Sequence, residues 1–240
     1  MSDSSLLETI AKTVLVPPHP AGIPFIGGAF ILAIVFFLFS TFLGCLMLLL
    51  GLGCLYFFRD PDRVTPQKSS LIVAGGDGVI SSIAYDVGLP KEIAGADDDS
   101  DYTRVSTFLS VLDVHVNRTP VSGKVIRKVY TPGKFLNADL DKASEDNERC
   151  SVLIETEDGR KVCVVQIAGL IARRILNDLK EGDTVRAGGR FGIIRFGSRV
   201  DIYFPNHISP LVCVGQRSIG AETVIADFDS TEESREGQAV

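Results

Sequence analysis

The sequence predicts an α+β protein, predominantly β, in which an apolar helical segment precedes a compact, antiparallel β-rich domain of barrel-like or sandwich-like form. Two observations favour this class. No Lys, Arg, Asp or Glu occurs between Lys12 and Arg59, and the chain beyond consists of short alternating apolar runs between glycine-containing turns. We expect four regions, namely a lead-in at 1–22, a membrane-associated helical segment at 23–58, the β-rich domain at 59–226 and a disordered acidic tail at 227–240.

Composition excludes several classes of protein. The 240-residue chain has a net charge of -6, and its pI near 5.1 leaves no basic field that would attract nucleic acid. The five cysteines are an odd number without a Cys-x-x-Cys pair, so we predict no disulfide framework, no zinc site and no other metal. This cysteine usage favours a reducing location that faces the cytosol.

The apolar run at 23–58 predicts a membrane element. It is long enough to cross a bilayer core of roughly 30 Å once with residues to spare, and it lacks the basic flank and short apolar core of a signal peptide. Ser40-Thr41 lies near its middle, so a hairpin of two shorter helices that dips into one leaflet is the alternative to a single span. Basic residues occur on both sides of the run and do not choose an orientation.

A glycine-rich turn opens the β-rich region. Apolar residues on both sides of Gly75-Gly76-Asp77-Gly78 predict one strand before the turn and another after it. Asp77 is by default a turn aspartate that bonds its own backbone, and a catalytic role is the alternative.

The second half of the region carries two further patterns. Runs at 151–157 and 161–167 predict a hairpin across Asp158-Gly159. Apolar residues at 171–179 have the spacing of a helix.

A longer strand is predicted at 105–116. If its alternation holds throughout, Asp113 and His115 lie side by side on one face. An aspartate beside a histidine supports one tautomer of the imidazole and raises its basicity, as general acid–base catalysis requires. A structural histidine satisfied by a loop carbonyl is the alternative interpretation.

The Gly197-Ser198 pair interrupts a regular strand pattern at 192–205. Beyond the pair, Val200, Ile202 and Phe204 are expected to face the core and the residues between them to face outward, as in a half-buried strand. Glycine in a strand marks a bulge, a bend or a close approach of the backbone. The simplest interpretation is a β-bulge with an exposed serine.

Several motifs occur in order along nearly the whole chain. Each is weak alone, but their joint occurrence in this order is specific. They are Phe57-Phe58-Arg59-Asp60-Pro61, Ala74-Gly75-Gly76-Asp77-Gly78, Asp113-Val114-His115-Val116-Asn117-Arg118, Asp141-Lys142-Ala143-Ser144 with Asn147-Glu148-Arg149, Gln166-Ile167-Ala168-Gly169 with Ala172-Arg173-Arg174-Ile175, and Arg195-Phe196-Gly197-Ser198. Together they resemble the phosphatidylserine decarboxylase proenzymes of the short bacterial and archaeal type.

The resemblance implies a self-cleaving, pyruvoyl-dependent carboxy-lyase. The Ser198 hydroxyl would attack the Gly197 carbonyl, the chain would split between these residues, and Ser198 would become a covalent pyruvoyl group. This group would form a Schiff base with the amine of phosphatidylserine and act as the electron sink for loss of carbon dioxide, giving phosphatidylethanolamine. His115 would then return a proton to the carbon, with Asp113 in weaker support.

One position departs from the pattern. Longer relatives carry a second histidine three residues after the first, paired with the aspartate of the Asp-Gly turn to activate the cleavage serine. Here that position is Arg118, whereas Asp77 still matches the aspartate. Self-cleavage would therefore use His115 for both steps or use Asp77 in a different way.

The resemblance also implies partners and a location. The substrate would be phosphatidylserine in the membrane, and Arg195 and Arg199, which flank the site, are the candidates to hold its phosphate. The large chain, 1–197, and the small chain, 198–240, would stay associated. We expect a homo-oligomer at the cytoplasmic face of the cell membrane, where an anchored enzyme meets the lipid headgroup.

Two other classes compete with this interpretation. A membrane-anchored, non-enzymatic β-module of lipoyl or adaptor type is suggested by the turns at Glu181-Gly182-Asp183 and Gly188-Gly189, although the exposed hairpin lysine that a lipoyl carrier needs is missing. A serine hydrolase built on Ser198 and His115 would need a Gly-x-Ser-x-Gly elbow, which the sequence lacks.

Overall fold

The computed structural model of the chain describes residues 16–94, 101–133, 147–169, 174–195 and 198–238. The predictions that involve 141–144, 172–173 and Gly197 fall outside the described residues. The chain divides into two units, residues Met1–Asp62 and Arg63–Val240.

The first unit is a helical hairpin. A 3-10 turn at Pro20–Gly22 leads into α1 (Ile23–Phe37), and α2 (Thr41–Phe57) returns after a short turn. The hairpin closes because the backbone N–H of His19 donates to the carbonyl of Phe58 at 2.7 Å. At the other end, Gly44 leaves room for the ring of Phe37, which a side chain at this position would strike. The segment thus consists of two helices, and whether it dips into a membrane or spans it stays a prediction.

The surface of the hairpin is apolar. The 18 residues Pro20–Phe37 have a mean hydropathy of 2.1 and are long enough to cross a membrane, whereas Thr41–Phe57 is shorter. At the turn between the helices, Leu38 and Phe39 are each 80 % exposed. Large apolar side chains that face outward in this number are typical of a surface that contacts lipid or protein.

The second unit is built from antiparallel strands, so the predicted fold class is confirmed. Among the described residues the strands form an eight-stranded sheet in the order β12-β2-β3-β11-β7-β6-β5-β9, a three-stranded sheet β4-β10-β8 and a pair β1-β13. The predicted hairpin across Asp158-Gly159 joins β6 to β7. The strands are β1 (Leu71–Val73), β2 (Gly78–Val87), β3 (Tyr102–Leu109), β4 (Val116–Arg118), β5 (Gly123–Thr131), β6 (Arg149–Glu155), β7 (Lys161–Ala168), β8 (Ile175–Asn177), β9 (Thr184–Val185), β10 (Arg190–Ile194), β11 (Ser198–Pro205), β12 (Arg217–Ser218) and β13 (Val224–Asp227).

β11 is an inner strand of the large sheet and is buried on both faces. It pairs with β3 on one side and with β7 on the other. Val200, Ile202 and Phe204 enter the main hydrophobic core, as predicted. The other face is not solvated as expected, because Tyr203 packs in a second apolar cluster with Leu89 and Ile93. The half-buried strand predicted from alternation is therefore a fully buried one.

Two other predictions differ from the structure. The apolar spacing at 171–179 predicts a helix, but Ile175–Asn177 is strand β8, held by its pairing with β10. The acidic tail is predicted to be disordered, but Phe228 is buried in the main core and Arg235 donates to the carbonyl of Leu211 at 2.8 Å. In both places a contact distant in sequence outweighs the local composition.

Candidate active site

Ser198 is the first residue of β11 and lies between two neighbouring strands. Its Cα partners are Leu109, the last residue of β3, and Ala168, the last residue of β7. The side chain is fully buried, so the exposed bulge serine suggested by the sequence is wrong. Its Oγ has no hydrogen-bond partner among the described residues. A buried hydroxyl without a hydrogen bond lowers the stability of the fold, so its presence calls for an explanation such as a role in chemistry.

His115 lies in the loop that follows β3 and is fully buried. Its Nδ1 is 3.0 Å from the backbone carbonyl of Asp113. A carbonyl only accepts, so Nδ1 carries a proton and Nε2 is the nitrogen that gains or loses one. The backbone carbonyl of His115 accepts from the N–H of Ile194, which places the loop against the end of β10, four residues before Ser198.

Asp113 does not support the imidazole with its carboxylate. The predicted strand stops at Leu109, because Asp113 accepts from both the N–H and the hydroxyl of Ser110 at 2.9 and 2.7 Å and closes a turn there. The shared face predicted for Asp113 and His115 is therefore absent. Burial raises the pKa of Asp113, but the hydrogen bonds from Ser110 and the ion pair with Arg217 outweigh it and bring the pKa below its ordinary value.

Asp77 sits in the turn between β1 and β2 with both carboxylate oxygens engaged. Oδ2 forms an ion pair with Arg63 at 2.6 Å, and Oδ1 accepts from the backbone N–H of Gly220 at 2.8 Å. The same turn packs against β3, the strand next to the one that carries the serine, since a side chain at Gly76 would lie 3.3 Å from Leu109. The structure thus brings the Asp77 turn next to the cross-strand neighbour of Ser198.

The position that departs from the family pattern is also buried. The guanidinium of Arg118 donates to the carbonyl of Gly188 at 3.3 Å. Its backbone N–H donates to the carbonyl of Gly75, at the start of the Asp77 turn.

The two arginines that flank Ser198 have different surroundings. Arg199 is buried and donates from Nε and Nη2 to the two oxygens of Asp201, each at 2.7 Å. Arg195 is partly exposed and follows β10 at the open end of that strand. The guanidinium of Arg199 thus already has a carboxylate partner.

A chain of three amides next to the site was not predicted. Asn177 donates to Oε1 of Gln166, and Gln166 donates to Oδ1 of Asn117, each at 2.8 Å. A side chain at Gly192 would strike the backbone carbonyl of Leu176 and would lie 3.1 Å from Nε2 of Gln166. The signal in the sequence was a single glutamine within the otherwise apolar run 162–168.

The described residues contain no group of three His, Cys, Asp or Glu side chains that could hold a metal ion. The residues of the candidate site offer an imidazole, a carboxylate and amides. Such groups move protons and stabilise charge at a reacting carbonyl.

Fold and site define a β-rich enzyme domain with a buried serine at the start of a central strand. Residues 50–226 match the family model described as phosphatidylserine decarboxylase. Three similar proteins carry the name phosphatidylserine decarboxylase proenzyme. They come from Granulibacter bethesdensis (55 % identity over 93 % of this chain and 90 % of the relative), Paramagnetospirillum magneticum (48 %, over 96 % and 95 %) and Ruegeria pomeroyi (50 %, over 90 % and 97 %).

The chain therefore belongs to the phosphatidylserine decarboxylase family, and it is a decarboxylase made as a proenzyme. These comparisons support the enzyme and not the lipoyl-type module.

Proposed function

We propose that the chain cuts itself between Gly197 and Ser198 and then decarboxylates phosphatidylserine to phosphatidylethanolamine. The observation that carries this proposal is the buried Ser198 hydroxyl, which has no partner among the described residues. Strand pairing on both sides holds this residue in place, as attack on a neighbouring carbonyl requires.

Strand pairing also supports the association of the two products. β11, β12 and β13 all lie after the proposed cut, and each pairs with a strand that lies before it. The small chain, 198–240, would therefore remain part of the large and the small sheets after cleavage. Assembly into a homo-oligomer stays a prediction.

The residues present fit a pyruvoyl group derived from Ser198. The precursor side chain is fully buried, so water would have little access to the group. When formed, the group supplies a ketone that condenses with the substrate amine and takes up the electron pair left by carbon dioxide.

We assign proton transfer to His115. Its Nδ1 proton is fixed by the carbonyl of Asp113, which leaves Nε2 to accept the Ser198 hydroxyl proton during cleavage and to deliver a proton to the substrate carbon later. Asp77 has both oxygens occupied by Arg63 and the Gly220 N–H, and we assign it to positioning the turn beside Leu109. One imidazole then serves both steps, which accounts for Arg118 at the position of the second histidine.

Lipid binding is assigned to the arginines and the hairpin. Arg195 and Arg199 are the candidates for the substrate phosphate, and Arg199 would have to share its guanidinium between the phosphate and Asp201. The helices of 15 and 17 residues are about 23 and 26 Å long, and together with its preceding turn the first of them approaches the bilayer core of roughly 30 Å. Since both ends of the hairpin meet at His19 and Phe58 and its tip is apolar, we place it in the cytoplasmic leaflet.

Intact-mass analysis and a lipid assay test the proposal. The purified protein should contain two chains, one ending at Gly197 and one beginning with a blocked pyruvoyl residue, and it should float with vesicles that contain phosphatidylserine and release carbon dioxide from them. The Ser198→Ala protein should remain one chain and release none. Cleavage at the same bond in Ser198→Ala would refute the self-cleavage mechanism, and a split enzyme that leaves phosphatidylserine intact would refute the substrate.

A further inference from the structure

We infer that the side-chain amide of Asn117 is an oxyanion donor for the self-cleavage step. This inference rests on the proposed attack by Ser198. It assigns to Nδ2 of Asn117 the task of donating a hydrogen bond to the carbonyl oxygen of the residue that precedes Ser198 while this oxygen is negatively charged.

The orientation of the Asn117 amide follows from a backbone group. The N–H of Leu179 donates to Asn177 at 3.1 Å, so the atom that accepts there must be Oδ1. Asn177 therefore presents its NH₂ group to Gln166, which accepts through Oε1 and presents its own NH₂ group to Asn117. Asn117 must accept through Oδ1, and its Nδ2 is turned away from Gln166. The backbone N–H of Leu179 therefore fixes which atom is oxygen and which is nitrogen in all three amides.

Nδ2 of Asn117 is a buried donor without a task in the fold. Asn117 is fully buried, and its Nδ2 has no hydrogen-bond partner among the described residues. Leaving a buried N–H unsatisfied costs about 1–3 kcal/mol. An apolar residue of similar size at this position would have no amide and would avoid this cost.

Two contacts place this donor close to Ser198. A Cβ at Gly76 would lie 3.5 Å from Nδ2 of Asn117 and 3.3 Å from Cδ2 of Leu109, so the amide and the leucine both border this glycine. Leu109 is the cross-strand partner of Ser198. From the other side, Gln166 holds the amide and is itself opposite Val200, two residues after Ser198. The two orphaned polar atoms, Oγ and Nδ2, thus share one region of the core.

The chemistry of the cleavage needs such a donor. Oγ of Ser198 forms a bond to the preceding carbonyl carbon, and the electron pair of the C=O bond moves to the oxygen. The C–N bond then breaks, the carbonyl re-forms as an ester, and the nitrogen of Ser198 receives the proton that Oγ has lost. Between these events the oxygen bears a full charge in a buried site, where a fixed N–H donor stabilises it strongly.

Two variants test the inference. Asn117→Ala removes the donor, and conversion of the freshly made precursor into two chains should be about 100- to 1000-fold slower.

In the second variant, Asn177→Asp, Asn117 is still present, but the new carboxylate cannot donate to Gln166. Gln166 and then Asn117 should turn over, so that Oδ1 replaces Nδ2 at the site and cleavage slows at neutral pH. Acidification protonates the new carboxyl group and should restore the rate relative to the native chain at the same pH.

The pH-dependent recovery is a result that a merely structural role would not give. Asn206→Ala is the matched control, because it removes an amide bonded to Thr103 and Asp86 near the far end of β11 and should leave the cleavage rate unchanged. Asn117→Ala cleaved within threefold of the native rate would overturn the inference. So would an Asn177→Asp rate ratio that does not change with pH, and this variant decides the matter if Asn117→Ala fails to fold. Cleavage of Ser198→Ala would instead refute the proposed function itself.

Discussion

The two faces of β11 carry buried polar side chains in opposite states. On one face the guanidinium of Arg199 and the carboxylate of Asp201 satisfy each other through two hydrogen bonds of 2.7 Å. On the other face Ser198 is equally buried, yet its Oγ has no partner among the described residues. One face of this strand thus carries an ion pair whose partners satisfy each other, and the other face carries a hydroxyl that has no partner among the described residues.

This difference indicates which residues of the strand affect stability and which affect the reaction. A satisfied buried ion pair contributes little net stability but becomes costly when one partner is removed. An unsatisfied buried hydroxyl already carries its cost, so its removal should affect the reaction and spare the fold. Burial alone would not have distinguished Ser198 from Arg199, whereas their hydrogen bonds do.

The largest expected effect is on the reaction at Ser198 and comes from a change at His115. In His115→Asn the side-chain amide still donates to the Asp113 carbonyl, as Nδ1 does, but no group replaces Nε2. We expect precursor cleavage and release of carbon dioxide to be slower by about 100- to 10,000-fold, the range for loss of a general acid–base group. Both rates are measured and corrected for the folded fraction. If both stay within a few-fold of native, His115 has no such role.

On the structural face, Asp201→Asn should lower stability without altering the chemistry of the folded fraction. It leaves the guanidinium of Arg199 buried and without its carboxylate, at a cost of about 3–5 kcal/mol in the free energy of unfolding. Denaturant unfolding in the uncleaved Ser198→Ala background measures this loss on a single chain. The double variant Arg199→Met with Asp201→Leu is the control, since apolar replacement of both partners should recover most of it. A single variant as stable as its parent would contradict the argument.

The sequence predicted most of the elements but not the environment of the site. Alternation correctly assigned Val200, Ile202 and Phe204 to the core. It also assigned the opposite face to solvent, which is wrong because residues near Leu89, distant in sequence, cover that face. Local patterns report the period of a strand, whereas the covering of its second face depends on contacts between distant segments.

The sequence predicts which residues belong to the candidate site, but it does not predict their hydrogen-bond partners. The family motifs identified Ser198, His115 and Asp77, and their roles stay predictions. The carboxylate of Asp113 was expected beside the imidazole, but the Ser110 turn redirects it to Arg217. Asn117 and Gln166 lie within motifs that assign them no role, because only the structure shows which amide oxygen is occupied and which nitrogen has no partner among the described residues.

The smallest expected effect concerns the ion pair of Asp113 with Arg217, an exposed counterpart of the buried pair on β11. Arg217 is 67 % exposed at its side chain and Asp113 only 5 %, so solvent screens the pair and Arg217→Ala should cost about 0.2–1 kcal/mol at neutral pH. Burial alone would raise the pKa of Asp113, but its bonds to Ser110 and Arg217 lower it in the folded state. A lowered pKa gives stability that is complete above the unfolded-state pKa and is lost as the pH falls through the folded-state value. The difference in unfolding free energy between Arg217→Ala and its parent should therefore shrink on acidification. A difference that grows as the pH falls would show that the arginine acts through some other group.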